Sequence, residues 1–176
     1  ISANVTLEVA SGRTLTIAST GTLTSTAGTL DNDGIISCSG TITTSSNFTS
    51  TSSGLVEFAS VTAYDNSVAG GVELGTTLGG DRTIANYMGV GVGTTKVILS
   101  GSETLTTSTY TLTISANVTL EVASGRTLTI AGAITKTASG ATITGAGNVI
   151  FSSIAAYDAT SDNSSNTIGS AITAAT

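Results

Sequence analysis

Apolar and polar residues alternate one for one along most of this chain. The pattern runs through V-T-L-E-V at Val5–Val9, T-L-T-I-A from Thr14, T-I-T-T from Thr41, V-E-F-A-S from Val56, K-V-I-L from Lys96 and T-Y-T-L-T-I from Thr109. Successive side chains of an extended strand point to opposite faces, so a period of two marks a strand with one buried face. The pattern predicts that Leu7, Val9, Leu15, Ile17, Ile36, Val56, Phe58, Leu120, Val122, Leu128, Ile130, Val149 and Phe151 point inward. Thr14 and Thr16 take the opposite face. No window holds a sustained 3.6-residue apolar stripe, so we expect essentially no helix and at least half the residues in strands.

The strands repeat. The first eighteen residues, ISANVTLEVASGRTLTIA, return unchanged at Ile114–Ala131, and LVEFASVTAYD (Leu55–Asp65) returns loosely as VIFSSIAAYD (Val149–Asp158). Ile1 corresponds to Ile114 but Asp65 to Asp158, so the copies (residues 1–65 and 114–158) differ by an indel of 20 residues. A repeat that loses 20 residues and resumes in register has lost one structural period, the length of one coil of a parallel β-solenoid. Glycine-led phrases at Gly12, Gly34, Gly54, Gly80, Gly101, Gly125 and Gly147 are spaced 22, 20, 26, 21, 24 and 22 residues apart. Glycine supplies the corner conformations where such a coil bends. The expected fold is therefore all-β: a single domain over 1–176, a single-stranded parallel β-helix, right-handed, of about eight coils of 20–22 residues. At about 4.8 Å per coil it makes a rod about 40 Å long.

Composition narrows the class. Ser and Thr supply 61 of 176 residues, and Pro, His and Trp are absent. Proline cannot donate to a β-ladder, so a chain in which every coil pairs with the next excludes it. Net charge is −6, and the five cations (Arg13, Arg82, Lys96, Arg126, Lys136) are scattered. Nucleic-acid binding needs clustered cations, so no nucleic-acid partner is expected. No apolar run reaches the length of a membrane span, so no membrane insertion is expected. No secretory leader is visible, and the chain opens on Ile1, which suggests a processed form or an excerpt. Cys38 shares strand parity with Ile36 and reads as a small buried hydrophobe; a reactive or intermolecular thiol is the other reading.

Candidate chemistry is sparse. With no histidine, the usual general base and the commonest metal ligand are missing. The one close acidic pair, Asp31 and Asp33, is expected to stack on Ser11–Gly12 and Ser52–Gly54, which offer neither acid nor base, so we expect no enzyme and no cofactor. Asp31, Asn32 and Asp33 could hold calcium through oxygen ligands, but an Asx-rich phrase ending in Gly is far more often a turn capped by its own side chains, so no metal is expected. Tyr64-Asp65 and Tyr157-Asp158 follow equivalent strands. Such a tyrosine could stack on a sugar, or cover the end of the core with its hydroxyl reaching water. Thr-x-Thr pairs at Thr14/Thr16, Thr22/Thr24, Thr41/Thr43, Thr104/Thr106, Thr111/Thr113, Thr127/Thr129 and Thr142/Thr144 would line up on stacked coils. That is the motif of ice-binding solenoids, although their unequal spacing argues against one pair per coil. Asn4, Asn47, Asn117 and Asn163 head Asn-x-Ser/Thr sequons, possible glycosylation sites outside the cytoplasm.

Phrases such as VTLEVASGRTLTIAS, TGTLTSTAGTLDNDG and GAGNVIFSS resemble bacterial cell-surface right-handed β-helix proteins, the autotransporter passengers and filamentous-haemagglutinin-type adhesins. The resemblance runs along most of the chain and implies a β-helix and an extracellular or cell-surface location; it transfers no functional residue. Strand-like sequence starts at Ile1 and continues to Thr176 without a visible cap. The expected function is thus a structural subunit or segment of an extracellular filament or fibrous adhesin, its partner another copy of itself. Terminal coils would stack head-to-tail through Ile1, Val5, Leu7, Val9, Ile168 and Ile172. Few salt bridges and little dependence on ionic strength are expected, and a proline at Val5 or Leu7 should block the junction. A monomeric ice-binding or carbohydrate-binding solenoid, with surface glycans as partners, is the alternative.

Overall fold

The computed structural model describes residues 1–44, 48–49, 54–68, 81–88, 93–101, 103–105, 110–137, 140–153 and 172–174; of 44, 48–49, 103–105 and 172–174 it describes the backbone alone. The chain forms short strands wherever the alternation runs. The first turns contain β1 (Thr6–Val9), β2 (Thr14–Ile17), β3 (Thr22–Ser25), β4 (Thr29–Asn32), β5 (Ile35–Cys38), β6 (Thr41–Thr44), β7 (Phe48–Thr49) and β8 (Leu55–Phe58). A helix, α1 (Val61–Ser67), interrupts them. The later turns contain β9 (Arg82–Ile84), β10 (Thr94–Leu99), β11 (Glu103–Leu105), β12 (Thr111–Ile114), β13 (Val118–Val122), β14 (Thr127–Ile130), β15 (Ala133–Lys136), β16 (Thr142–Gly145), β17 (Asn148–Phe151) and β18 (Ile172–Ala174).

Every pairing among the described residues is parallel. The longest sheet runs β2-β5-β8-β10-β13-β16. Sheets β1-β4-β7 and β9-β12-β15 precede it around the turn, and β3-β6 and β11-β14-β17-β18 follow it. The result is a parallel β-solenoid of about five turns, 52% strand and 6% helix. Most strands stack on the strand one short coil away, as Leu7 does on Leu30, Leu15 on Ile36 and Leu128 on Val149. Two pairings close much longer turns: Leu55 stacks on Thr94, and Arg82 on Leu112. Glycine spacing predicted about eight coils because it counted phrases inside these two long turns as turns of their own.

The inward columns form the core. Ile17, Cys38, Phe58, Val97, Leu120 and Ile143 stack in one line of the long sheet, and Leu15, Ile36, Val56, Thr95 and Val118 in another. All the residues expected inward are buried except Leu7 and Leu15, which are partly buried and pack against the core. Thr14 and Thr16 are exposed, as their parity requires. Thr95, a polar member of the core, is satisfied: its Oγ1 donates to Asn86 Oδ1 at 2.8 Å and accepts from Tyr87 N–H at 2.8 Å.

The expectation of essentially no helix is corrected by α1. Ser60 stands in extended conformation as its N-cap, and its hydroxyl accepts from Ala63 N–H at 3.0 Å. That bond satisfies one of the donors a helix start leaves open. Val61, Tyr64 and Val68 then fall at helical spacing, with Val61 and Tyr64 buried. The signal was present in S-V-T-A-Y, but it follows a strand directly and reads as that strand's continuation.

The two perfect copies keep one backbone. Asn4 and Asn117 take φ of 62° and 57°, and Gly12 and Gly125 take 73° and 72°. These left-handed corners suit asparagine and glycine. A coil fits over the second corner because Gly34 and Gly147 sit on it: a Cβ on Gly34 would lie 2.4 Å from Arg13 O, and one on Gly147 2.5 Å from Ala123 O. The copies nevertheless occupy different faces. T-L-T-I lies in the long sheet as β2 but in the following sheet as β14, and T-L-E-V moves from the preceding sheet as β1 to the long sheet as β13. Around the indel, β5 stands between β2 and β8, whereas β14 pairs directly with β17.

Candidate functional site

The same eighteen residues in two settings show what their surface can do. In the second copy β13 lies between β10 and β16, and β14 between β11 and β17. In the first copy β1 pairs with β4 and β2 with β5, each on one side only among the described residues. Burial follows. Val118 is 0% exposed and its equivalent Val5 is 50% exposed. Ile114, Leu120 and Leu128 are fully buried, while Ile1, Leu7 and Leu15 are only partly buried. Val9 is buried in both settings. Of the C-terminal residues expected at a junction, Ile172 lies on β18 and pairs with Val149; Ile168 lies outside the described residues.

Backbone polarity on this face has a definite parity. Thr29 N–H donates to Val5 O and Gly34 N–H to Val9 O, so Val5, Leu7 and Val9 turn their peptide groups toward the next coil. In a parallel ladder the alternate residues face the other way. The second copy displays this: Thr95 N–H donates to Asn117 O at 3.0 Å and Ala123 N–H to Leu99 O at 3.2 Å. The groups facing away from β4 are therefore the carbonyl of Asn4, the peptide groups of Thr6 and Glu8, and the N–H of Ala10, whose carbonyl already accepts from Arg13 N–H. This corrects the expectation for proline. At Val5 or Leu7 it would disturb the molecule's own first turn, because Val5 N–H bonds Ser2 O and Leu7 faces β4.

Charge is arranged differently around the two copies. Lys96 Nζ lies 2.6 Å from Glu121 Oε2 and 3.2 Å from Glu57 Oε2, a three-residue ladder across β8, β10 and β13. Partial burial alone would lower the Lys96 pKa, but the bonds to Glu121 and Glu57 outweigh it and the net shift is upward. Glu8, the equivalent of Glu121, instead stacks on Asp31. The acidic stack contains Glu8 where Ser11–Gly12 was expected. Within the proposed calcium triplet, Asn32 turns into the core at 0% exposure and its Nδ2 donates to Leu55 O at 3.0 Å, while Asp31 and Asp33 stay on the outer side. The three side chains do not converge. Among the described residues no group of three potential metal ligands occurs.

The Tyr64-Asp65 pair belongs to a small core beneath α1. Tyr64 is 1% exposed, and its hydroxyl donates to Ala85 O and accepts from Ala85 N–H at 2.8 Å. The hydroxyl therefore does not reach water, and the ring face cannot stack on a sugar. Phe58 meets it edge-on at 5.3 Å, and Arg82 lies 5.8 Å from the ring centroid. Burial raises the Tyr64 phenol pKa, the bond to Ala85 and the Arg82 charge opposing. Arg82 and Asp65 form a buried ion pair. Their side chains are 3% and 6% exposed, and burial lowers the Arg82 pKa. Tyr157 and Asp158 lie outside the described residues.

A cavity of about 270 Å³ lies beside this cluster, between α1, Thr43 and Ala85–Tyr87. Its polar lining is committed to the fold. Ser67 Oγ accepts from Ile42 N–H and donates to Ala63 O, Tyr87 hydroxyl donates to Ile42 O at 2.7 Å, and Asn86 Nδ2 donates to Gly93 O. Ser67 and Tyr87 thereby satisfy the edge of β6, which ends the β3-β6 sheet there.

The remaining sequence candidates separate by face. Thr22 and Thr24 stack on Thr41 and Thr43, a two-by-two array. The other pairs are spread over three sheets: Thr14 and Thr16 stack on Ile35 and Ser37, and Thr104 stacks on Thr129. Cys38 is buried at 0% exposure, and desolvation raises its pKa against the bond from the Gly40 backbone. Asn4 is exposed; Asn117 is partly covered, its Oδ1 2.7 Å from where a Cβ on Gly140 would lie. Asn47 and Asn163 lie outside the described residues. Compared with protein-family models, with curated proteins and with solved structures, this chain has no match.

Proposed function

We propose that this chain is a mechanical element: a subunit or segment of an extracellular filament or fibrous adhesin, built by stacking solenoid coils head-to-tail. One observation carries the reading. The eighteen-residue sequence of Ile1–Ala18 stands again unchanged at Ile114–Ala131, where its strands hold a coil on both sides, so it is a surface on which solenoid coils stack. Burying such a strip removes apolar surface from water, and ladder bonds align the incoming coil. A head-to-tail contact that does not close on itself produces a fibre. The Ser- and Thr-rich outer face keeps such a rod soluble with little charge. The resemblance to cell-surface β-helix proteins supports the extracellular location and a right-handed coil. The polar groups around the cavity are engaged in the fold, so they add no case for small-molecule chemistry. Negative-stain microscopy and sedimentation of the purified protein test the reading: fibres whose length grows with concentration support it, and a stable monomer at high concentration rejects it. In that event the two-by-two threonine array makes ice binding the next reading, decided by thermal hysteresis.

A further inference from the structure

The winding is interrupted at one turn, and the interruption falls on two of its three sides together. On the side that follows the long sheet, the elements in order are β3, β6, α1, β11, β14 and β17. A helix thus stands where the other described turns place a strand, and the β3-β6 ladder ends against it. On the side that precedes the long sheet, β1-β4-β7 and β9-β12-β15 are separate ladders, divided at the same turn. The long sheet runs through as β5-β8-β10. Among the described residues the other two sides are bridged by side chains. Ile42 N–H donates to Ser67 Oγ at 3.0 Å, Tyr87 hydroxyl donates to Ile42 O at 2.7 Å, and Asn32 Nδ2 lies 3.9 Å from Met88 Sδ. The cavity of about 270 Å³ lies at this same seam, between Thr43 of β6 and the side chains of α1 and Ala85–Tyr87. We infer that this turn is a joint: the segments carrying β1–β7 and β9–β18 bend about the long sheet, and the seam between β6 and α1 opens and closes. The helix moves with the second segment, because Tyr64 hydroxyl is bonded twice to Ala85 and Asp65 pairs with Arg82 at the start of β9. Its hold on β6 is weaker than a ladder, since the atoms lining the cavity lack contacts on that side. The joint belongs to the single chain, so it stands or falls separately from the filament reading.

Amide hydrogen exchange and paired spin labels, both on the full chain in dilute solution, test the joint. Ile42 N–H is held by a hydroxyl across the seam, whereas Thr95 N–H bonds Asn117 O inside the long sheet. Corrected for intrinsic rates, Ile42 should exchange about tenfold faster than Thr95, through local opening. For the labels, Cys38→Ala removes the native thiol. Cysteines placed at Thr22 and Asn148, both exposed, span the seam side, and cysteines at Thr16 and Thr144 span the long sheet. Each pair stands about 24 Å apart at roughly 4.8 Å per coil. Ser67→Ala with Tyr87→Phe then removes both bonds to Ile42 while leaving the ladders in place. That variant should lengthen the Thr22–Asn148 distance by about 3 Å, the increment when one water bridges a contact that had been direct. The Thr16–Thr144 distance should not change. Label distances that both stay fixed, or both lengthen, would overturn the joint, as would equal protection of Ile42 and Thr95. If the double variant fails to fold, the exchange comparison in the unsubstituted protein decides alone.

Discussion

Val5 and Val118 are the same residue of the same sequence in two environments, so truncating each in turn measures the effect of a stacked coil. Val→Ala removes the equivalent of two methylenes, about 1.6 kcal/mol of transfer free energy at full burial. At Val118, enclosed and 0% exposed, the vacated volume adds a cavity contribution, bringing the cost to about 2–3 kcal/mol. At Val5, 50% exposed, about half of the transfer is at stake and no closed cavity forms, so the cost is about 0.8 kcal/mol. Urea unfolding followed by far-UV circular dichroism in dilute solution should therefore separate the variants by about 1–2 kcal/mol. The gap should then narrow at concentrations where fibres form, because Val5 acquires the surroundings Val118 already has. If Val5→Ala costs as much as Val118→Ala when dilute, the burial argument is wrong. A gap that persists unchanged among visible fibres means the junction does not use this face.

Glu8→Pro should abolish fibre growth while leaving the far-UV spectrum intact, because the N–H it removes points away from β4; Leu7→Pro should cost about 1–3 kcal/mol of stability by orphaning an acceptor in the first turn, measured by the same urea titration. Asp65→Ala should destabilise the protein by about 3–5 kcal/mol by leaving Arg82 buried and uncompensated, whereas Asp65→Ala together with Arg82→Met should recover much of the loss. The Tyr64 phenol, raised by burial, contributes stability that is complete below its ordinary value of 10.0 and is lost as pH rises through the higher folded value. A spectrophotometric titration should show one of the four tyrosines ionising last and together with unfolding. Cys38 should resist thiol reagents in the native protein and react fully in urea, since burial both shields it and raises its pKa.

Strand parity was legible because each strand here has one wet face. Leu15 and Ile17 declare themselves against Thr14 and Thr16, and the same logic placed Phe58 and Phe151 in the core. The helix was not legible, since Ser60 caps it immediately after β8 and only the spacing of Val61, Tyr64 and Val68 departs from alternation. The role of Asp65 was equally hidden: its partner Arg82 lies across a turn of unusual length, and nothing in Tyr-Asp announces a buried cation. Residues stacked one coil away could be named only as well as the local pitch was known. An assumed uniform coil set Asp31 on Ser11–Gly12, while the actual first turn is longer and sets it on Glu8.

The placement of one eighteen-residue sequence on two different sides of the rod bears on how such a chain can change length. Each strand of the repeat, with its corner, fits two different sides of the winding in this chain, so the sequence of a coil does not by itself fix the side it occupies. Unequal crossover between the two identical stretches would excise or duplicate everything between them, and the join would fall inside sequence that already closes properly in both places. A change in the number of residues between the two copies would move the later strands around the axis to whatever side the new count dictates.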